Sequence, residues 1–414
     1  MISERKGRKM KLDSIKRFAL DFLYGTVALI ALNGIITFLV YPFINRTLGN
    51  EANGQVLFFT AIMGLMASAF GSGVNYARMK ISTVRHSENG DYNCFLLAVA
   101  ILAVIITIVA SFIKGNSAGA SVISIAILII VTVLRYYADV QFRLDLNYKR
   151  FFWYYIFITI GYVIGVFTYR WTNSWTMIFI TGECFGLIYV TIVGNIFKRP
   201  FFKRSDHFAE NTKVMWNLSS AYLMSDFVSY ADRVMIPLLI VNGDEASTIF
   251  YVSTLLGKMV SLLSTPLNGV IVGHLSRYKG KITKKMFAGV TGILLVCAGI
   301  FVCGSVIGSY IIIPLIYNAD VMEAASKLFW IANAGQVFFF ISNTMMVVVL
   351  RFATEKYQIY MGTAYTILFI VIIIPFMFLW GLWGMAAGLL IINILKFCII
   401  TGLGFYALGE KKEK

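Results

Sequence analysis

Long apolar stretches alternate with short polar connections along the whole chain. Each stretch holds about 20 mostly apolar residues, the length that an α-helix needs to cross the hydrocarbon core of a bilayer. The pattern predicts an all-α integral membrane protein with twelve transmembrane helices. The predicted spans are, in chain order, Phe18–Ile44, Gln55–Tyr76, Tyr92–Ile113, Ala118–Leu134, Phe151–Tyr169, Met177–Ile196, Met215–Ile240, Ala246–Gly273, Met286–Ile316, Leu328–Leu350, Gln358–Trp380 and Gly384–Tyr406.

Composition and charge agree with a membrane protein. The chain of 414 residues is 59% hydrophobic and 14% charged, whereas soluble domains are about a quarter charged. With the N-terminus inside, the cytoplasmic segments hold 29 Lys and Arg residues and the outer segments four, so both termini are predicted to be cytoplasmic. Topology and anionic lipid headgroups account for the net charge of +16, and the expected partners are therefore membrane lipids and not nucleic acid.

The longest polar interruption, Phe197–Lys213, divides the predicted spans six and six. It contains Pro200 and five basic residues, so it is predicted to be a cytoplasmic linker. The predicted domains are an N-terminal six-helix lobe over 1–196, the linker over 197–213 and a C-terminal six-helix lobe over 214–414. Since each lobe begins with a helix that enters from the cytoplasm, the lobes would be parallel repeats.

Local sequence supports a repeat. Leu48–Ala52 is similar to Asn242–Ala246 at an offset of 194, and Pro42 lies 195 residues before Pro237. Proline removes a backbone donor and clashes with the preceding turn, so helix kinks are predicted at Pro42, Pro237 and Pro266. Matching kinks in two halves would point to a central pathway, although transmembrane helices also tolerate proline without any such role.

Several polar side chains fall inside apolar spans, where a charge needs a partner, water or a function. Lys258 lies near the middle of the eighth span, and Asp226 or Asp232 on the seventh is its predicted partner. The alternatives are structural ion pairs for the charges and helix-linking hydrogen bonds for the asparagines. Glu183 and Lys396 also lie inside predicted spans, and each needs a partner, water or a function in the same way. The predicted residues of a substrate-binding cavity are Asn75, Asp226, Asp232, Arg233, Lys258 and Asn268.

Motifs of soluble enzymes are missing from the sequence. His86, His207 and His274 have no metal-ligand spacing, and there is no Walker phosphate loop for ATP. The chain is therefore predicted to be neither an enzyme nor a holder of a metal or other cofactor. Transport energy would come from a proton or sodium gradient, or from the gradient of the cargo itself.

Four short motifs resemble those of the Wzx-type O-antigen and capsule flippases. They are Thr47–Gly54 ("LG..a.G"), Tyr230–Arg233 ("Y.Dr"), Ile313–Tyr317 followed by Ala324–Ala325, and Trp380–Ala387 ("yG..Gaa"). The resemblance implies a fold related to the multidrug and toxic-compound extruders (MATE) of the MOP superfamily, with two six-helix lobes forming a V around a central cavity that Lys258 would line.

The same resemblance implies a function. By alternating access, the protein would move undecaprenyl-diphosphate-linked repeat units from the cytoplasmic to the periplasmic leaflet of a bacterial inner membrane. Its partners would be the lipid-linked oligosaccharide, a polysaccharide polymerase and a chain-length regulator. Two other functions stay open at this point: an ion-coupled multidrug exporter, and a membrane polysaccharide polymerase or ligase, which the short outer loops disfavour.

Overall fold

A computed structural model describes residues 23–115, 119–263, 268, 271, 282–353 and 356–410. The described residues form helices joined by short connections and contain no strand. The helices are α1 (Leu23–Leu48), α2 (Asn50–Val84), α3 (Asn89–Ile113), α4 (Gly119–Leu144), α5 (Tyr148–Thr172), α6 (Trp175–Val193), α7 (Phe208–Leu239), α8 (Gly243–Leu262), α9 (Lys284–Ile316), α10 (Ala319–Ser326), α11 (Phe329–Leu350), α12 (356–380) and α13 (382–410).

Nine helical stretches in the described ranges are long and apolar enough to cross a membrane. Helices α7 and α8 are not among them because acidic, basic and hydroxyl side chains lower their mean hydropathy. The segment Tyr360–Gly409 counts once although α12 and α13 are separated at Gly381, where φ is 57° and ψ −130°. The prediction of an all-α membrane protein is confirmed, and the count of twelve spans stays a prediction.

The chain folds into two compact units. The first contains the described part of Met1–Ile44 together with Phe59–Tyr230, and the second contains Asn45–Phe58 and the described part of Ala231–Lys414. The chain therefore passes between units inside α1, α2 and α7. The lobes predicted from the sequence are separated instead by a linker over 197–213. That division into an N-terminal and a C-terminal half of the chain stays a prediction.

In the first unit, glycines let α5 and α6 pack closely. A Cβ atom on Gly161 would lie 3.0 Å from the Cα of Gly182, and one on Gly165 would lie 2.4 Å from the carbonyl oxygen of Ile178. Small residues at helix contacts are the usual means of close packing in a membrane, where lipid removes most of the hydrophobic drive for association. Backbone approach therefore holds this helix pair together.

In the second unit, buried asparagines connect the central helix α11 to its neighbours. The side-chain amide of Asn333 donates to the carbonyl of Ser253 at 3.1 Å, and its oxygen accepts from the backbone of Gly257 at 2.7 Å. Asn393 on α13 donates to the carbonyl of Gly335 at 3.0 Å. Such polar bonds between helices stabilise membrane bundles and fix their register.

Two glycines of the "LG..a.G" motif have structural causes. Gly49 has φ of 85°, a left-handed conformation that glycine adopts at low cost. A Cβ atom on Gly54 would lie 1.8 Å from the carbonyl oxygen of Asp244, so α2 and α8 meet there backbone to backbone. Asn53 donates to Thr248 at 3.2 Å beside this contact, which belongs wholly to the second unit.

The predicted proline kinks fall in different surroundings. Pro42 is the second residue after a π-helical turn over Ile36–Val40, a local widening that accompanies interrupted α-helical hydrogen bonding. Pro237 lies within α7 close to its end at Leu239, where Gly243 packs against it. Pro266 lies outside the described residues.

Candidate functional site

A charged cluster joins the last turns of α7 to the last turns of α8 in the second unit. The Nζ atom of Lys258 lies 2.5 Å from Oδ2 of Asp232, whose residue is 5% exposed. The other carboxylate oxygen accepts a hydrogen bond from the backbone N–H of Arg233 at 2.9 Å. Of the two carboxylates considered as partners of Lys258, the structure therefore selects Asp232.

The two cations of this cluster share an aromatic ring. The guanidinium of Arg233 lies 5.4 Å from the ring centroid of Tyr251, and the Nζ atom of Lys258 lies 5.6 Å from the same centroid. The faces of tyrosine rings attract cations, so Tyr251 helps to hold both in place. We call Asp232, Arg233 and Lys258 the α7–α8 charge cluster.

The α7–α8 charge cluster combines two cations with one carboxylate, a formal charge of +1. The side chain of Arg233 is 18% exposed and that of Lys258 22%, so neither is fully sealed by the surrounding helices. Arginine and lysine at such a place can bind phosphate groups, arginine by paired hydrogen bonds and lysine as a point charge.

Asp226 is not part of this cluster. It accepts a hydrogen bond from the hydroxyl of Ser68 on α2, within the first unit. The first unit ends at Tyr230 within α7. Asp226 therefore belongs to the first unit and Asp232 to the second, although both lie on one helix.

Asn75 links helices within the first unit. Its side-chain amide donates to Asp139 and, at 3.2 Å, to the carbonyl of Tyr136. Asp139 also accepts hydrogen bonds from Arg143 and Tyr155, each at 3.0 Å. This arrangement fits the helix-linking alternative that the sequence left open for asparagines in the spans.

Asn268 is half-buried, and the residues beside it lie outside the described ranges. Its predicted contact with a substrate stays a prediction, as do those of the other five candidate residues.

A buried ion pair ties α4 to α6 and gives Glu183 a partner that the sequence did not predict. Arg135 Nε lies 2.5 Å from Glu183 Oε2, and Tyr162 donates to the other oxygen of Glu183 at 2.7 Å. The predicted fourth span ends at Leu134, one residue before Arg135, whereas α4 continues to Leu144. The signal for this pair was Glu183 itself, a carboxylate in an apolar span that requires a partner.

Lys396 on α13 has neutral neighbours. Its Nζ atom donates to the side-chain oxygen of Asn343 at 2.8 Å. It also lies 4.7 Å from the ring centroid of Phe339 and 4.2 Å from that of Tyr365. Among the described residues, no group of three or more His, Cys, Asp or Glu side chains is placed to hold a metal ion.

Comparison with known proteins identifies the fold. Neither a protein-family profile nor a curated protein sequence matches the chain. Among solved structures, an inward-facing multidrug resistance MATE family transporter of the MOP superfamily has a TM-score of 0.67 at 11% identity, covering 94% of this chain and 99% of that one. The lipid II flippase MurJ in an inward closed conformation has a TM-score of 0.66 at 16% identity, covering 92% and 86%. The chain has the fold of the MOP superfamily transporters.

A third structure with the MOP fold agrees. The bent form of the Vibrio cholerae MATE transporter VcmN has a TM-score of 0.56 at 11% identity and covers 95% of this chain and 97% of that one. The MOP fold is a multi-pass membrane transporter fold that includes both multidrug exporters and a lipid flippase. The sequence prediction of a MATE-like fold is therefore confirmed.

Proposed function

We propose that the protein is a flippase for lipid-linked oligosaccharide, carrying undecaprenyl-diphosphate-linked O-antigen or capsule repeat units across a bacterial inner membrane by alternating access. The observation that supports this most is the cation excess of the α7–α8 charge cluster. A diphosphate brings two or more negative charges into the membrane region, where unpaired charge is costly. Cations near α8 would compensate that charge during passage.

Two further observations favour a lipid-linked cargo over a soluble one. The MOP fold is shared with MurJ, which is named as a lipid II flippase. The four sequence motifs resemble the Wzx-type flippases, which implies a cytoplasmic-to-periplasmic direction, and the distribution of Lys and Arg predicts that both termini are cytoplasmic. That resemblance also suggests a polysaccharide polymerase and a chain-length regulator as partners. Since the sequence has no Walker phosphate loop, a proton or sodium gradient, or the gradient of the cargo itself, would supply the energy.

Gene deletion tests the proposal in the cell. The expected result is loss of surface polysaccharide together with accumulation of its lipid-linked precursor, because synthesis continues while translocation stops. Extraction of the lipid fraction and staining of surface polysaccharide measure the two quantities. Normal surface polysaccharide without a stranded precursor would refute the proposal.

Substitutions in the α7–α8 charge cluster test the residues. Arg233→Ala keeps the pair of Lys258 with Asp232, so transport should fall while membrane abundance is retained. The double variant Asp232→Asn/Lys258→Met removes one cation together with its carboxylate and leaves a formal charge of +1 on Arg233, so it should retain more transport than Arg233→Ala. Lys327→Ala is a matched control, because Lys327 is 65% exposed and forms only a 3.8 Å pair with Glu323. Full transport by Arg233→Ala would remove this cluster from the mechanism.

A second candidate function is an ion-coupled multidrug exporter. It is favoured by the fold shared with MATE transporters and by Asp226, a carboxylate inside α7 that is hydrogen-bonded to Ser68. Such a carboxylate could couple a cation gradient to transport. A deletion strain with increased drug susceptibility and intact surface polysaccharide would favour this function over the flippase.

A further inference from the structure

The connection between α6 and α7, residues 194–207, is fastened to the start of α3 within the first unit. We call it the strap. Asn93 donates its side-chain amide to the carbonyl of Phe201 at 2.8 Å. Asp91 accepts from the backbone of Ser205 at 2.8 Å and from its hydroxyl at 2.6 Å. The strap thus has a defined position against α3.

The strap closes one side of a partly open cleft between α3 and α4. The cleft has a volume of about 300 Å³, and Ala100 and Ala103 on α3 leave the space that larger side chains would fill. Apart from Asn93, every lining residue is apolar, and the amide of Asn93 is engaged by Phe201. An apolar space without polar partners does not hold water. Hydrocarbon is therefore its natural content in a bilayer.

The size and lining of the cleft restrict the ligand further. Sites for drug-sized molecules range from about 300 to 1,000 Å³, so the cleft is at the small end of that range. Its wall offers no set of donors and acceptors for sugar hydroxyls. One hydrocarbon chain fits these properties, and an oligosaccharide does not.

The strap also supplies the groups that a lipid headgroup needs. Lys198 and Arg199 are exposed directly after Phe197, a residue of the cleft wall. Phe202 lines the cleft and yet is 60% exposed. Aromatic and basic side chains together are typical of the membrane–water interface, where basic groups attract anionic headgroups.

We infer that the cleft between α3, α4 and the strap binds an acyl chain of an anionic phospholipid, with the phosphate of its headgroup against Lys198 and Arg199. The charge of these two residues favours an anionic over a zwitterionic headgroup. The site lies within the first unit and does not contain the α7–α8 charge cluster, so it is separate from the cargo site proposed above and does not depend on it.

The inference is tested by measuring which lipids stay bound to the purified protein. Purified protein is equilibrated with mixed phosphatidylglycerol and phosphatidylcholine micelles, and retained lipid is quantified by native mass spectrometry. Wild type should retain phosphatidylglycerol in preference to phosphatidylcholine. Ala100→Trp fills the cleft and should lower the affinity about tenfold, or about 1.4 kcal/mol. Ile105→Trp is the matched control, since Ile105 lies on α3 outside the cleft and is 53% exposed.

Charge variants separate the headgroup from the chain. Lys198→Gln/Arg199→Gln should abolish the preference for phosphatidylglycerol while retaining a chain in the cleft. Where Ala100→Trp fails to fold, Ala103→Leu makes a smaller intrusion into the same cleft and should weaken lipid retention in the same direction. Equal retention by a folded cleft variant and by Ile105→Trp would overturn the site. Tighter retention of a polyprenyl phosphate than of phosphatidylglycerol would overturn the choice of phospholipid and assign the cleft to the cargo's tail.

Discussion

Lys258 and Asp232 form a 2.5 Å ion pair between α8 and α7, with the carboxylate almost completely buried. Burial of two charges costs several kcal/mol per ion, which a close contact and added hydrogen bonds offset. Removal of Lys258 leaves Asp232 with the more distant guanidinium of Arg233, whose Nε atom lies 4.0 Å from Oδ1. The pair is therefore both a cation source for an anionic cargo and a structural connection, and the two roles need separate measurements.

The first prediction concerns the stability of this pair. Lys258→Met should lower the free energy of unfolding by about 3–5 kcal/mol, because Asp232 loses its closest counter-charge. Asp232→Asn/Lys258→Met should recover most of that loss, since the buried carboxylate is removed together with its lysine, and the remaining cation, Arg233, lies 4.0 Å from the Asp232 carboxylate and is 18% exposed. Thermal unfolding of the detergent-purified chain gives both values. A single variant as stable as wild type would show that the two side chains do not pair.

The second prediction concerns the hydrogen bond from Tyr162 to Glu183, 2.7 Å long and fully buried. Tyr162→Phe should cost about 1.5–3 kcal/mol, the value typical of a hydrogen bond to a charged group. Tyr360→Phe provides a control because Tyr360 is 63% exposed, and it should leave the melting temperature nearly unchanged. Equal melting temperatures for the two variants would remove Tyr162 from the network.

The third prediction concerns Gly54, the second glycine of the "LG..a.G" motif, and its contact with α8. Gly54→Ala would place a methyl group 1.8 Å from the carbonyl oxygen of Asp244, so α2 must move away from α8. Overpacking of this kind costs about 1–3 kcal/mol or more. Gly299→Ala on α9 meets nothing within 4 Å and should be neutral or stabilising by up to about 1 kcal/mol. Membrane abundance and thermal unfolding distinguish the two variants, and a neutral Gly54→Ala would contradict the close contact.

The fourth prediction separates Lys396 from Lys258. The partners of Lys396 that the structure gives are the Asn343 amide oxygen and the rings of Phe339 and Tyr365, so Lys396→Met strands no carboxylate there. We expect the free energy of unfolding of Lys396→Met to stay within about 1 kcal/mol of wild type. A loss as large as that of Lys258→Met would reveal an acidic partner. A transport assay on the stable variant then asks whether this cation contacts the cargo.

Hydropathy predicted most helix positions well, for a physical reason. A span must be apolar over its whole length, so the predicted segment Met286–Ile316 nearly equals α9 at Lys284–Ile316. The predicted break between Trp380 and Gly384 contains Gly381, where the backbone leaves the helical conformation. Here the glycine pattern and the apolar pattern agree, and both describe local structure.

Partners of buried charges could not be predicted in the same way. A hydropathy scale assigns Arg135 the same unfavourable value in every environment. In the structure, the cost of burying its charge is offset by Glu183, which lies on a helix distant in sequence. The turn between α7 and α8 shows a subtler limit. Sequence similarity aligns Gly49 with Gly243, but the left-handed residues before α2 and α8 are Gly49 and Asn242. Asparagine tolerates the left-handed conformation and can take the place of glycine there. The alignment by sequence similarity is therefore one residue away from the alignment by backbone conformation.

The division of α7 has a consequence for attempts to split the gene. A cut in residues 197–207 would leave Phe208–Tyr230 on the C-terminal fragment, although this segment folds with the N-terminal unit. The N-terminal fragment would in turn retain Asn45–Phe58, which folds with the other unit. Neither fragment would carry a full set of its own packing partners. Each fragment would need the other in order to fold, and stable protein would require that both be synthesised in the same cell.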